Sequence, residues 1–232
     1  MTETKIASAI DALKHELASQ YELSEATYAV SGKKLKIFSV ADSYALLDRI
    51  TDEEFVKDEQ MPYWAEIWPA SMVLAKYIFE KLPVAGKSCI ELGAGVGLVS
   101  VAAALAGGNT LATDYAKEAI PFIRLNALLN GATLEAQTLD WRLVTLSEKY
   151  DFIFAADVLY ERRNQLPILN AIDKLLSKTG VAIVADPRRQ IAENFIHMVR
   201  ENEFQVSVSS VFLATQPKHL SVDVYEIRRG EK

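Results

Sequence analysis

One cysteine in 232 residues excludes an internal disulfide and any zinc site built on several thiolates. The three histidines, His15, His197 and His219, share no metal-ligand spacing, so no metal is expected. No apolar run is long enough to span a bilayer, and the opening MTETKIASAIDALKHE lacks the basic-then-apolar order of a secretion signal. Basic residues are also in the minority. Lys and Arg number 25 against 31 Asp and Glu, for a formal net charge of −6. A chain devoted to nucleic acid normally shows a basic face, so neither nucleic acid nor a membrane is expected as partner. Repeats and low-complexity tracts are absent too. What remains is a chain that is 50% hydrophobic, long enough for one large α/β domain with a substantial core, and expected to be cytoplasmic. Cys89 sits inside an apolar strand pattern, which marks it as a packing residue rather than a reactive thiol.

The first 58 residues read as an extension. Ile6, Ile10, Leu13, Leu17 and Tyr21 recur at helical steps, and Ser31-Gly32 joins two strand patterns, Ala26–Val30 and Lys33–Val40, as a two-residue hairpin. Residues 40–50 read as a further helix, and Thr51–Glu59 as an acidic, exposed stretch. No Pro/Gly/Ser linker follows, so the extension is expected to pack on a core domain covering 59–232. That core opens with Met61-Pro62-Tyr63-Trp64-Ala65-Glu66-Ile67-Trp68-Pro69. Pro69 suits a first helical turn, and Val73, Leu74, Tyr77, Ile78 and Leu82 form the helix's buried stripe. Trp64 reads equally well as a core residue or as part of a site.

The chain is organised around Lys87–Leu98, KSCIELGAGVGL. A short buried strand, Ser88–Leu92, turns through Gly93-Ala94-Gly95-Val96-Gly97 into a small-residue helix, Leu98–Leu105. Glycines let the backbone approach a ligand, and the free amides of a helix N-terminus favour polar groups there. The spacing is not that of a dinucleotide fingerprint, whose third glycine would fall at Leu98. Glu91 adds an acid that a dinucleotide site does not need. The next strand, Asn109–Thr113, ends at Asp114, about 20 residues past the loop, where a carboxylate is placed to accept ribose hydroxyls.

ELGAGVGL followed by ATDY resembles the first two motifs of class I, seven-strand S-adenosylmethionine-dependent methyltransferases. The segment Tyr63-Trp64-Ala65…Trp68-Pro69, about two dozen residues before the glycine loop, is similar to that of the seven-strand protein-lysine methyltransferases, in particular those acting on the electron transfer flavoprotein beta-subunit and their bacterial relatives. The resemblance implies a Rossmann-like, doubly wound α/β fold. Its seven-stranded sheet would be mostly parallel, with an antiparallel last strand, beside the N-terminal helix and hairpin. It implies that Gly93, Ala94, Gly95 and Gly97 lie along the methionine part of S-adenosylmethionine, that Asp114 holds the ribose, and that Trp68 covers the cofactor. Glu91, Tyr115 and Ala156 join the expected cofactor set.

Further along, Ala116–Asn130 reads as a helix and Leu134–Leu139 as a third strand, ending in Asp140-Trp141. In the family an acid there meets the adenine amino group and an aromatic covers the ring; a turn or cap acid is the other reading of Asp140. A fourth strand, Asp151–Ala156, runs into Asp157-Val158-Leu159-Tyr160 at the ligand crevice of an open sheet. The resemblance implies that Asp157 and Tyr160 contact substrate; as an alternative, Asp157 caps a helix starting near Arg162 or Asn164. Gln165–Leu176 reads as the next helix, stopped at Lys178-Thr179-Gly180. Val181–Ala185 is a fifth strand ending in Asp186-Pro187-Arg188-Arg189, which reads as a substrate contact or as a solvated turn. The helix Ile191–Asn202 follows. The last two strands, Phe204–Leu213 and Ser221–Arg228, are joined by a polar loop with Pro217, Lys218 and His219.

Methyl transfer from a sulfonium needs alignment more than acid–base help. Asp157 can receive an incoming ammonium, though its charge also raises the amine's pKa, so the proton is expected to go to water. Tyr160 and Trp68 would narrow the channel and favour a cation through their ring faces. Val158-Leu159 replaces the paired prolines of DNA amino-methylating enzymes, and Cys89 is misplaced for RNA cytosine-C5 chemistry. The leading expectation is a protein-lysine N-methyltransferase. A small-molecule N-methyltransferase acting on an amine or nicotinamide-like acceptor remains open, as does a non-catalytic cofactor-binding partner protein.

Overall fold

A computed structural model describes residues 2–49, 61–213 and 220–230. The expected boundary at 58/59, the acidic stretch before it and the Pro217–His219 loop lie outside the described residues. Helix α1 (Glu3–Ala18) buries Leu17 with Ile10 and Leu13 beside it. Strands β1 (Leu23–Val30) and β2 (Lys33–Val40) pair from Leu23↔Val40 to Val30↔Lys33. Ser31 and Gly32 both have positive φ, 48° and 76°, which is the turn whose twist matches a two-residue hairpin. The helix expected over 40–50 is not α-helical within the described residues. Strand β2 continues to Val40, and Tyr44–Arg49 is a 3-10 turn. Asp42 Oδ1 accepts from the Ala45 amide, and the Leu46 amide bonds to Ser43 O three residues back, which tightens the winding.

The remaining elements are α2 (Pro69–Lys81), β3 (Ser88–Leu92), α3 (Leu98–Leu105), β4 (Asn109–Asp114), α4 (Ala119–Leu129), β5 (Glu135–Thr138), β6 (Tyr150–Ala156), α5 (Arg162–Leu175), β7 (Leu176–Asp186), α6 (Ala192–Glu201), β8 (Phe204–Leu213) and β9 (Leu220–Arg229). Seven strands form one sheet in the order β5-β4-β3-β6-β7-β9-β8, with β9 antiparallel to both neighbours and the other pairs parallel. The central strands are apolar on both faces, as a sheet covered by helices on each side requires. Ile90, Ile153 and Val184 face α5 and α6, whereas Cys89, Phe154 and Ile183 face α2 and α3. Strand order reverses between β3 and β6, so a crevice opens there beyond the strands' carboxyl ends.

The third strand of the sheet is shorter than its alternation suggests. β5 keeps four residues at the open edge, mostly exposed, where no second neighbour holds its ends. Lys178-Thr179-Gly180 does not end the preceding helix. It lies inside β7, where six residues, Leu176 to Val181, span three of β6, Tyr150 to Phe152. Gly180 makes this irregularity possible, since a Cβ there would lie 2.8 Å from Tyr150 O. Among the described residues no helix is long and apolar enough to cross a membrane.

Candidate active site

The glycine loop is required by close packing at each of its three glycines. All have positive φ: 73° at Gly93, 54° at Gly95 and 91° at Gly97. A Cβ on Gly93 would meet the Trp141 ring at 2.8 Å, one on Gly95 would meet Trp64 O at 3.0 Å, and one on Gly97 would press on Ile123 at 3.2 Å. The loop is tied to the end of the next strand. Ala94 N donates to Thr113 O at 2.9 Å, and Gly95 N to Asp114 Oδ2 at 2.8 Å. The other Asp114 oxygen accepts from Ala116 N at 2.9 Å.

Two buried acids stand on this side. Burial pushes Glu91 up to about 8, only partly offset by the Ser100 hydroxyl that donates to its Oε2. Burial likewise pushes Asp114 up to about 6, against the backbone amides of Ala116, Gly95 and Tyr115, which favour its charged form. A positively charged ligand entering here lowers both values, so the pair is suited to a cation that also carries hydroxyls.

Opposite them lies an aromatic group. Trp68 Nε1 donates to Tyr63 O at 2.8 Å, and the Tyr63 ring stands edge-on to Trp68 at 5.7 Å and to Tyr160 at 5.0 Å. Trp64 turns the other way and packs with Tyr21 and Phe122, with its centroid 5.9 and 5.6 Å from theirs. It is thus partly buried against the core, its backbone shapes the loop, and it also lines the cavity.

Asp157 follows β6 in the left-handed region, φ 61°, which a short polar side chain tolerates better than most. Its N donates to Ala185 O across to β7 at 2.9 Å. Its carboxylate does not cap the helix near Arg162. Oδ2 accepts from Ala70 N, at the start of α2, at 2.9 Å, and Oδ1 accepts from Arg189 Nη2 at 2.8 Å. Burial raises the Asp157 pKa while Arg189 draws it back down.

One cavity of about 300 Å³ collects Trp68, Glu91, Gly93, Ala94, Gly95, Asp114, Tyr115, Trp141, Ala156, Asp157 and Tyr160. Gly97 is set back as the N-cap of α3. Asp140 also stands outside this cavity, in an adjoining crevice, where it binds Arg142 at 2.7 Å and accepts from the Arg142 amide, so it is the cap of the 3-10 turn Trp141–Leu143. Met61, Glu66, Ile67, Ser71, Leu98 and Val158 also line the cavity without having been singled out in the sequence. Arg189 lines it as well. The signal for Arg189 was its place just past the strand that neighbours β6 at the crevice; what no sequence shows is that it pairs with Asp157, 32 residues earlier.

A family model described as "Lysine methyltransferase" matches residues 54–202. Protein N-lysine methyltransferase METTL21A of Mus musculus is 32% identical over 158 residues, 64% of this chain and 72% of that protein. The electron transfer flavoprotein beta subunit lysine methyltransferase of Rattus norvegicus is 36% identical over 102 residues, 43% of this chain and 40% of that protein. Among solved structures, magnesium protoporphyrin IX methyltransferase (ChlM) from Synechocystis PCC 6803, with bound SAM, shares the fold at a TM-score of 0.56 and 17% identity. The match covers 82% of this chain and 98% of that one.

Proposed function

The chain belongs to the lysine methyltransferase family, and from that premise we propose that it methylates a lysine side chain of a protein substrate in the cavity described above, using S-adenosylmethionine. The observation that carries this reading is the joining of two halves in one cavity. The glycine loop, clamped to the acid at the end of β4, lies on one side, and an aromatic collar around a carboxylate lies on the other.

The residues fit S-adenosylmethionine. Gly93 and Gly95 leave the backbone bare beside the cavity, and Glu91 and Asp114 suit a ligand with cationic and hydroxyl groups. When bound, S-adenosylmethionine supplies a methyl group on a positively charged sulfur, which an amine lone pair accepts as the sulfur reverts to a neutral thioether. Trp68 and Tyr160 line the approach and narrow it, and aromatic rings in such a place favour a cation. Asp157 orients the incoming amino group. The burial that pushes the Tyr160 hydroxyl up to about 12 keeps it neutral, a hydrogen-bonding group rather than a base.

The test is transfer of tritiated methyl from S-adenosylmethionine into an extract of cells lacking this gene, separated into protein and small molecules. Label in protein, released as methyl-lysine on hydrolysis, is the expected result. Label confined to small molecules would transfer the assignment to a free amine acceptor, and no label with the cofactor bound would make the protein a non-catalytic binder. With a labelled protein in hand, Asp157→Asn is expected to lose at least tenfold in turnover at saturating acceptor; full turnover would remove Asp157 from the site chemistry.

A further inference from the structure

Arg189 reaches into the cavity and holds carboxylates from two different strand ends. Its Nη2 donates to Asp157 Oδ1 at 2.8 Å and its Nη1 to Asp186 Oδ2 at 2.7 Å. Asp186 is fully buried and is already bonded through Oδ1 to the Arg189 amide at 2.7 Å. Anchoring the loop therefore needs Asp186 alone, and the reach to Asp157 is a separate feature. Asp157 lines the cavity and Asp186 does not. Its second oxygen faces the N-terminus of α2 through Ala70, a further source of partial positive charge. Both oxygens of the Asp157 carboxylate are thus met by positive groups of the protein. Around them stand Asp186 on β7, Asp223 and Tyr225 on β9 behind it, and Glu91, Asp114 and Tyr160 along the cavity.

The chemistry gives this a purpose. A lysine amine must shed one proton to water before its lone pair can react. A bare carboxylate within a few ångströms raises the amine's pKa by about 1–3 units and so holds it in the unreactive form. A guanidinium does not titrate in the working range, so its offset is permanent. On the reading that the acceptor is a lysine side chain, we propose that Arg189 is a positioning residue that offsets the Asp157 charge, so that the cavity admits the amino group without locking it as an ammonium. Two anions against one cation leave the trio at −1, enough to attract an ammonium. Without Arg189 the two carboxylates would lose the cation they share.

The test reads binding rather than turnover. n-Butylammonium, which has the head and stem of the lysine side chain, is titrated into the protein with S-adenosylhomocysteine present. Binding is followed by the fluorescence of Trp64, Trp68 and Trp141, all of which line the cavity. Arg189→Gln is expected to bind the ammonium about tenfold more tightly and Asp157→Asn about tenfold more weakly, at the low end of the charge effect because Arg189 is partly exposed. The double variant should return to the wild-type value, and Arg189→Lys should stay near it. A purely structural Arg189 would give weaker binding in Arg189→Gln, and that result, or no change, would overturn the proposal. If Arg189→Gln does not fold, an Asp157→Asn variant that binds as tightly as wild type overturns it instead. Methyl-lysine formation with this order absent would discard the role of Arg189 alone. The order intact without protein methylation would discard the lysine reading and keep the charge offset.

Discussion

Glu91, next to last in β3, has 1% of its surface exposed, and burial pushes its carboxyl up from the ordinary 4.5 to about 8. The folded chain therefore keeps a proton that the unfolded chain gives up at much lower pH. Between about 4.5 and 8 the folded state binds more protons, so stability falls as pH rises, by up to about 1.4 kcal/mol per pH unit from one group. Asp114 contributes with the same sign, but its window closes near 6. Denaturant melts at pH 6.5 and pH 8 isolate Glu91. Wild type should be less stable at pH 8, and Glu91→Gln, which is neutral at both values, should lose most of that difference; an equal difference in the variant would mean that Glu91 is charged throughout. The carboxyl at this position was legible in the sequence from its place before the glycines, but its protonation was not, because that depends on Ser100 and on a helix packed over the strand. The same holds for Asp157, whose partners Ala70 and Arg189 lie 87 and 32 residues away.

Helix α4 joins the N-terminal hairpin to the glycine loop. Asn126 and Asn130, one turn apart, act on the open edge of β2 as a strand would. Asn126 Oδ1 accepts from Phe38 N at 2.7 Å and its Nδ2 donates to Phe38 O at 2.9 Å, while Asn130 brackets Lys36 at 2.9 and 2.7 Å. The Asn126 amide also reaches Val96 O, inside the glycine loop, at 2.8 Å. Asn126→Ala would strand a backbone amide and two carbonyls in a fully buried place, costing about 2–4 kcal/mol. Chemical denaturation should show that loss. S-adenosylmethionine affinity should fall with it, since the loop is freed on one side; unchanged affinity would mean that the hairpin and the loop are uncoupled. The sequence reads as a helix over Ala116–Asn130, yet gives no role to its asparagines, because a side-chain amide that pairs with backbone looks in sequence like any exposed polar residue. The glycine in Lys178-Thr179-Gly180 misled for a related reason. A helix stop and a crowded strand irregularity both demand glycine, and only the Tyr150 carbonyl beside Gly180 tells them apart.

At the scale of the whole molecule, the strands that build the site, β3, β4, β6 and β7, all deliver their chemistry from carboxyl ends at one edge of the sheet. A ligand bound there touches the ends of strands on both sides of the point where the order reverses, so it should stabilise the sheet as a unit. At about one hundred times its Kd, a ligand of the folded state adds about 2.7 kcal/mol, equivalent to about 5–10 °C in melting temperature for a chain of this size. S-adenosylhomocysteine is expected to give that shift. NAD, at the same concentration, is expected to give none. A dinucleotide loop needs its third glycine where the helix meets the sheet closely, and here that position is Leu98, 1% exposed at the first turn of α3. Thermal melts with the two ligands compare these demands directly. A shift with NAD equal to that with S-adenosylhomocysteine would show that the cavity reads only adenosine, leaving Glu91 without a part in choosing the ligand. A shift with S-adenosylhomocysteine alone, lost in Asp114→Ala, would tie the choice to the carboxylate that clamps Gly95 and to the glycine spacing first visible in the sequence.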